Sequence, residues 1–380
     1  MSSEPNVVLS LHGLIAIAVR DAGPGDLRAI RRQLGPLPEI ASAGVPDPEI
    51  VIRFVDRLAV SGTLRQLGLD AAFDDEHFFV LRGRRKTAVR VQLPVDRLGT
   101  MPFEIVAERG RGAVPYLLPA LHATLLAKGV LPLHASAFVH DGVGVLVTGW
   151  AKGGKSEALL AYADRGARYV GDEWVFVTAD GSQMGGLPEP MRLWDWQLAM
   201  VPAAGKQVGI AGRARLRAAA GLAVGLGGAS RLPVIRSSPV GDVARRSAAV
   251  VERQRSIQVP PARLFGSRIA DGLVPLDRVI LIESSDDPSP SVRPIAAEEV
   301  ARRTAATVAH ELLDLNTVAL AYSFAFPGRR PAFVDEIAGR LERGLGVAIA
   351  DVPCFLVRHP YPPDIPGLAV LIDPVIASPR

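Results

Sequence analysis

One cysteine, Cys354, is all the chain carries in 380 residues. A single thiol excludes an internal disulfide and any zinc site built on cysteines. A lone cysteine among apolar neighbours reads as core filler rather than as a nucleophile. Lysine is nearly as scarce, with five residues against 38 arginines. The net charge is only +4, so the basic balance reflects arginine chosen over lysine and not a surface built for nucleic acid. Aromatic residues are 6% of the chain and do not interleave a basic run as a single-strand-binding surface requires. Long apolar runs are missing too: the most apolar stretch, residues 315–327, is too short to span a bilayer. His134 and His140 lack cysteine or acidic companions at metal-ligand spacing. The opening Met1-Ser-Ser-Glu-Pro5 has no basic-then-apolar leader pattern. These absences predict a protein of a reducing cytoplasm, with no membrane and no nucleic-acid partner.

What is present reads as a folded chain with length for two or three domains: 48% hydrophobic and 22% charged residues. Residues 1–112 read as a β-rich accessory domain. Val7 to Val19 is strand-like, Glu49 to Asp56 alternates clearly, and His77 to Leu93 reads as a hairpin turning at Gly83-Arg-Arg85. No chemistry stands out there. A second domain, 113–380, opens with helical spacing from Val114 to Lys128, closed by Gly129. The run Leu131–Val139 precedes Asp141-Gly142, a strong hairpin-turn dipeptide, and His134–Val139 and Val143–Thr148 are predicted to pair antiparallel across it. Residues 203–250, rich in Ala, Gly and Arg, read as a mobile insertion or an irregular helix. Arg278–Glu283 reads as a buried strand and Ala297–Leu313 and Pro331–Leu345 as amphipathic helices, the second capped by Gly346. Val347–Val357 reads as a final strand.

The chemistry concentrates in Gly149-Trp150-Ala151-Lys152-Gly153-Gly154-Lys155-Ser156, followed by Glu157. It fits the phosphate-binding pattern G-x-x-x-x-G-K-[ST], and the strand before it and helix after it supply the context the pattern needs. Glycines let successive backbone N–H groups point into one concavity, and the helix that follows adds the positive end of its dipole. Two of the five lysines, Lys152 and Lys155, lie in this loop. The loop predicts a nucleoside triphosphate or similar polyphosphate as ligand: Lys155 would reach the outer phosphates and the Ser156 hydroxyl would ligate Mg²⁺.

A longer series surrounds the loop. Leu133-His134-Ala-Ser-Ala137, the Asp141-Gly142 turn, Gly149 to Glu157, Arg165-Gly166 and Gly171-Asp172-Glu173 follow one another in order. Together they resemble the catalytic domain of HPr kinase/phosphorylase and its looser relatives, the HPr-kinase-like serine kinases. The likeness spans residues 115–376. It is specific over 130–177 and weak beyond, where it takes in Pro188-Glu-Pro190-Met-Arg192, the strand ending at Glu283, and Val352 to His359. It implies an α/β fold of α+β mixed-sheet type, a PEP-carboxykinase-like P-loop core beside the smaller β-rich N-terminal domain. A hairpin just before the loop is what such a core predicts, whereas an ordinary parallel P-loop sheet has none there.

The resemblance also implies roles. Lys155 and the loop amides hold the phosphates of ATP, with GTP or pyrophosphate as other donors the chain does not exclude, and Ser156 holds Mg²⁺. Asp172 stands at the first acid of the family's pair, the base toward an acceptor hydroxyl. Glu173 stands at the second acid and helps to hold the metal. His134 matches the histidine before the loop, which contacts the phosphate or metal region. Relatives are often oligomeric, which makes a homo-oligomer an expectation, although the chain shows no interface pattern. Trp150 and Lys152 stand where relatives carry small or acidic residues. The Glu-Ile-Arg-Gly-Leu-Gly signature of the bifunctional enzymes is absent, so phosphorylase activity, and HPr itself as acceptor, lie outside what the resemblance implies. On a regular strand Asp172 and Glu173 would face opposite ways, and only a bulge or strand end would turn both inward. Arg192, Arg236, Arg253, Arg255 and Arg268 are candidate phosphate clamps by position alone.

The expected activity is an ATP-dependent kinase that moves a phosphoryl group to a hydroxyl, serine first among them, on a peptide, protein or small molecule. The alternative is a non-catalytic nucleotide-binding regulator or assembly partner with the same fold. Lys155, Ser156 and Asp172 occurring together favours the kinase, because a mere binder has no use for a base.

Overall fold

The computed structural model describes residues 5–41, 47–83, 88–201 and 256–378, with isolated positions between 208 and 218. The expected insertion at 203–250 lies almost wholly outside the described residues, as do Arg236, Arg253 and Arg255.

The first sheet has nine strands: β1 (Pro5–Leu11), β2 (Ile15–Arg20), β3 (Glu39–Ile40), β4 (Ile50–Val55), β5 (Arg65–Leu67), β6 (Ala71–Phe73), β7 (Phe78–Arg82), β8 (Ala88–Gln92) and β9 (Phe103–Glu108). Their order is β3-β1-β2-β4-β9-β8-β7-β6-β5. The run expected as one strand from Val7 to Val19 is a hairpin, because His12 and Gly13 take φ of 52° and 72° and reverse the chain. Helix α1 (Pro24–Leu34) follows, with Ala29, Ile30 and Leu34 buried against the sheet. Helix α2 (Leu117–Ala127) then leads to the second sheet, and Gly129, at φ 82°, ends it as expected.

The second sheet contains β10 (Leu131–His140), β11 (Val143–Thr148), β12 (Arg168–Gly171), β13 (Trp174–Val177), β14 (Gln183–Gly186), β17 (Val274–Pro275), β18 (Arg278–Ser285), β19 (Ser291–Pro294) and β20 (Cys354–Pro360). A separate ribbon pairs β15 (Met191–Trp194) with β16 (Ser256–Val259). Asp141 and Gly142, at φ 49° and 80°, close the β10–β11 hairpin, whose strands pair antiparallel as predicted, in a register from His140 opposite Val143 to Ala135 opposite Thr148. Parallel pairings carry the sheet on from β11 to β18 and from β18 to β20. The described fold is thus α/β, built on two large mixed sheets.

Helices cover both faces of the second sheet. On one side lie α3 (Lys155–Ala163) and, at the far end of the chain, α9 (Ile365–Ala377). On the other lie α6 (Ala297–Glu311) and α8 (Ala332–Ala348), while α7 (Leu313–Ala325) packs on the first sheet, its Tyr322 ring 5.6 Å from that of Phe78. Two short helices, α4 (Asp195–Met200) and α5 (Pro261–Phe265), flank the ribbon. One apolar core runs without a break from β1, β2 and β4 through α2 to β10, β13 and α8. Gly346 is not the cap of α8: the helix continues to Ala348, with Leu345 and Ala348 buried in that core. The final strand accordingly starts at Cys354 and not near Val347.

Among the described residues no helix is long and apolar enough to cross a membrane.

Candidate functional site

The loop from Gly149 to Gly154 joins β11 to α3. Its curl requires φ of 63° at Lys152 and 110° at Gly154, values most side chains resist. A Cβ at Gly154 would stand 2.5 Å from His359 Nε2, and one at Gly149 would stand 2.4 Å from the Ile282 carbonyl oxygen. Neither position has room for a larger residue. From beneath, the His359 ring of β20 hydrogen-bonds the Gly153 carbonyl at 2.9 Å. The Gly153 N–H donates to the Trp150 carbonyl at 3.0 Å. Ser136 of β10 donates its hydroxyl to the Lys155 carbonyl at 2.7 Å and fixes the first turn of α3. The N-terminal N–H groups and dipole of α3 therefore face the loop.

Lys155 is buried, and its ammonium group folds back over the loop, donating to the carbonyls of Gly149 at 3.0 Å and Trp150 at 2.9 Å. Burial lowers its pKa, while Glu173, Asp172, Glu311 and Glu157 work the other way. Lys152 points to solvent and Ala151 is half-buried. The Trp150 ring is 54% exposed and sits 4.8 Å from the ring of His310. Glu157 accepts a hydrogen bond from Gln197 of α4 at 2.7 Å.

The two adjacent acids converge. Strand β12 stops at Gly171 and β13 starts at Trp174. Between them Glu173 takes φ 70°, and the Trp174 N–H reaches back to the Asp172 carbonyl at 3.0 Å. This break removes the alternation that would otherwise separate the side chains. The Ser156 hydroxyl donates to Asp172 Oδ1 at 2.8 Å, while Glu173 pairs with His134 Nε2 at 3.0 Å. Burial, then the charge of Glu173, pushes the Asp172 carboxyl up to about 7. Glu173 moves down instead, chiefly because His134 hydrogen-bonds its ionised form. Its side chain stays 46% exposed.

Other groups complete the site, and sequence reasoning missed them. Glu311, at the end of α6, lies 3.5 Å from His134 Nδ1. Glu189 is pushed up to about 8 by burial and then by Glu173 and Asp172, and its Oε1 is buried without a hydrogen-bond partner. His310, Gln197 and His359 were also unmarked as site residues. Only the isolated placement of Glu189 between two prolines in an otherwise apolar stretch was a usable signal.

The remaining candidates lie elsewhere. Arg268 donates to the Ala163 carbonyl at 2.8 Å and so satisfies the C-terminal end of α3. Arg192 is exposed and acts on Glu173 through its charge. Cys354 is buried and its thiol is pushed up to about 12, mainly by burial, which suits core filler. Ser156 and the carboxylates near it are hard oxygen donors of the kind Mg²⁺ takes. Among the described residues, however, no group of three or more His, Cys, Asp or Glu is arranged to hold a metal ion by itself.

No protein-family model matches the chain, and no curated protein matches it.

Proposed function

We propose that this protein is an ATP-dependent kinase of the reducing cytoplasm, with a PEP-carboxykinase-like P-loop core, that transfers a phosphoryl group to a hydroxyl. The observation that carries the reading is the hydrogen bond from Ser156, the last residue of the loop, to the buried Asp172 at 2.8 Å. A polyphosphate cradle and a candidate base are thereby joined side chain to side chain. The antiparallel β10–β11 hairpin leading into the loop supports the core assignment.

In this reading the loop amides and the α3 N-terminus bind the donor phosphates, and Lys155 exchanges its two loop carbonyls for phosphate oxygens. Ser156 and Glu173 would hold Mg²⁺, which supplies positive charge to the phosphate oxygens as negative charge shifts onto the leaving group. Asp172 takes the proton of the acceptor hydroxyl. A base poised near neutrality combines availability with proton affinity, and burial beside Glu173 raises Asp172 into that range. His134 holds Glu173 ionised and oriented.

Lys155→Ala and Asp172→Asn test the assignment together. Binding of ATP–Mg²⁺ should vanish in the first and persist in the second, while transfer should vanish in both. Full turnover by Asp172→Asn would remove Asp172 as the base. ATP–Mg²⁺ binding without turnover on any acceptor, in the unmodified protein, would leave the non-catalytic regulator.

A further inference from the structure

Segment 185–189 crosses beside the strand break that holds the acid pair and ends at Glu189. Two glycines set this approach. A Cβ on Gly186 would stand 2.5 Å from the Gly171 Cα, and one on Gly171 would stand 2.8 Å from the Gly186 Cα, so only glycines at both positions let the backbones meet. Val175 pairs with Gly186, and the Leu187 N–H donates to the Trp174 carbonyl at 3.1 Å. Gly186 and Leu187 are thus laid beside 171–175, and Glu189, two positions on, comes within electrostatic reach of Glu173 and Asp172.

The opposite side of this segment is held by the first sheet. His12, in the β1–β2 turn, hydrogen-bonds the Gly186 carbonyl at 2.7 Å. A carbonyl only accepts, so the Nε2 of His12 carries the proton. His12 makes this reach from a left-handed backbone, φ 52°, which few side chains adopt without a tertiary reason. The ring occupies the space a side chain at 185 would need: a Cβ on Gly185 would come within 2.9 Å of His12 Cδ2. A second grip comes from the end of α1, where a Cβ on Gly35 would stand 2.5 Å from the Pro188 carbonyl oxygen. The β1–β2 turn and the end of α1 therefore press on Gly185, Gly186 and Pro188, just before Glu189.

We propose that the N-terminal sheet is a working part of the transfer site, with His12 as a positioning residue that acts through the Gly186 carbonyl to hold Glu189 against the acid pair on the acceptor side. This rests on the kinase reading. Glu189 in turn offers an unpartnered oxygen beside the candidate base, where an acceptor hydroxyl or its neighbouring donor would lie. The first sheet thus contributes geometry to the site without lending it a reacting group.

The test uses the full chain with ADP–Mg²⁺, with and without tetrafluoroaluminate, which mimics the phosphoryl group in flight and adds tightness only where the in-line site is assembled. His12→Phe keeps the ring and loses the N–H, whereas His12→Gln keeps an N–H donor. His12→Phe should lose about tenfold of the fluoride-dependent tightening, with the ADP–Mg²⁺ affinity within about twofold of the unmodified protein. His12→Gln should recover most of that loss, and Glu189→Ala should reproduce it. Unchanged tightening in His12→Phe, or equal losses in the Phe and Gln variants, would overturn the proposal. So would a matching loss of ADP–Mg²⁺ affinity, which would mean general damage to the fold. If His12→Phe does not fold, the Glu189→Ala and His12→Gln results decide. Absence of any fluoride-dependent tightening in the unmodified protein, with ADP–Mg²⁺ still bound, would instead refute the kinase reading on which the proposal stands.

Discussion

Asp172→Asn should make the protein more stable while it stops transfer, and the gain should grow with pH. The folded chain holds the Asp172 proton up to about 7, against 3.8 for the free group, because burial and then the Glu173 charge disfavour the ionised form. A raised folded-state pKa means that the favourable contribution is full below 3.8 and is lost as pH climbs through 7. A gap of one pH unit between the folded and free values is worth about 1.4 kcal/mol, so ionising this carboxylate in place costs ~4 kcal/mol between pH 4 and pH 8. Asparagine cannot ionise, and its side-chain oxygen can still accept the hydrogen bond from Ser156. Urea unfolding of both proteins at pH 4, 6 and 8 should show the variant ahead by ~4 kcal/mol more at the alkaline end than at the acid end. Turnover should meanwhile fall by about a hundredfold or more. A stability difference that stays flat across that range would refute the claim that Asp172 sits strained in a desolvated, like-charged site.

The remaining predictions concern the loop and the core behind it. Lys155→Ala should abolish thermal stabilisation by ATP–Mg²⁺; for the unmodified protein that stabilisation should reach about 2.7 kcal/mol at a hundredfold excess over the dissociation constant. Gly154→Ala places a methyl 2.5 Å from His359 Nε2 on a φ of 110°, and calorimetry should show a loss of about 2–4 kcal/mol. His122 is buried against Trp174, with ring centroids 3.9 Å apart, and both of its ring nitrogens lack hydrogen-bond partners. Burial, then the His134 charge, lowers its pKa from 6.5 to about 3. For this base the unfolded chain takes the proton first as pH falls below 6.5, so stability should drop by about 2 kcal/mol from pH 7 to pH 5. His122→Leu should remove that His122 component from the acid-side slope, as read by denaturant titration at the two pH values.

The parts of the site legible in the sequence were those carried by neighbouring residues. Gly149 to Ser156 announced the loop, Asp141-Gly142 announced the hairpin, and the adjacent acids Asp172 and Glu173 interrupted a strand in a way that alternation alone could not resolve. The structure resolves it through the positive φ of Glu173, a backbone state that residue type alone does not foretell. Glu311, His359 and His12 were not legible, because each reaches the site by way of the topology, and Glu189 left only its placement between two prolines as a signal. Parallel pairing of β11, β18 and β20 brings His359 under a loop more than 200 positions earlier. The first-sheet turn at His12 was read through as one strand, since its apolar flanks continue on both sides and His-Gly is a weak turn signal. Helix α8 ran through Gly346 because the buried contacts of Leu345 and Ala348 outweigh the roughly 1 kcal/mol helix penalty of glycine.

The backbone carbonyls that hold the Lys155 ammonium are a built-in competitor for any anion the loop would bind. Any arriving anion must replace two good hydrogen bonds, at 3.0 and 2.9 Å, that the protein already makes with itself. Each ionised oxygen binds the ammonium more strongly than a neutral carbonyl, and a chain of phosphates would offer it several such oxygens at once. If the loop binds polyphosphate as proposed, part of the binding free energy goes into releasing this cation from the loop's own carbonyls. In that reading the cost is the same for every anion, so ligands with more charged oxygens within reach of Lys155 would recover more of it.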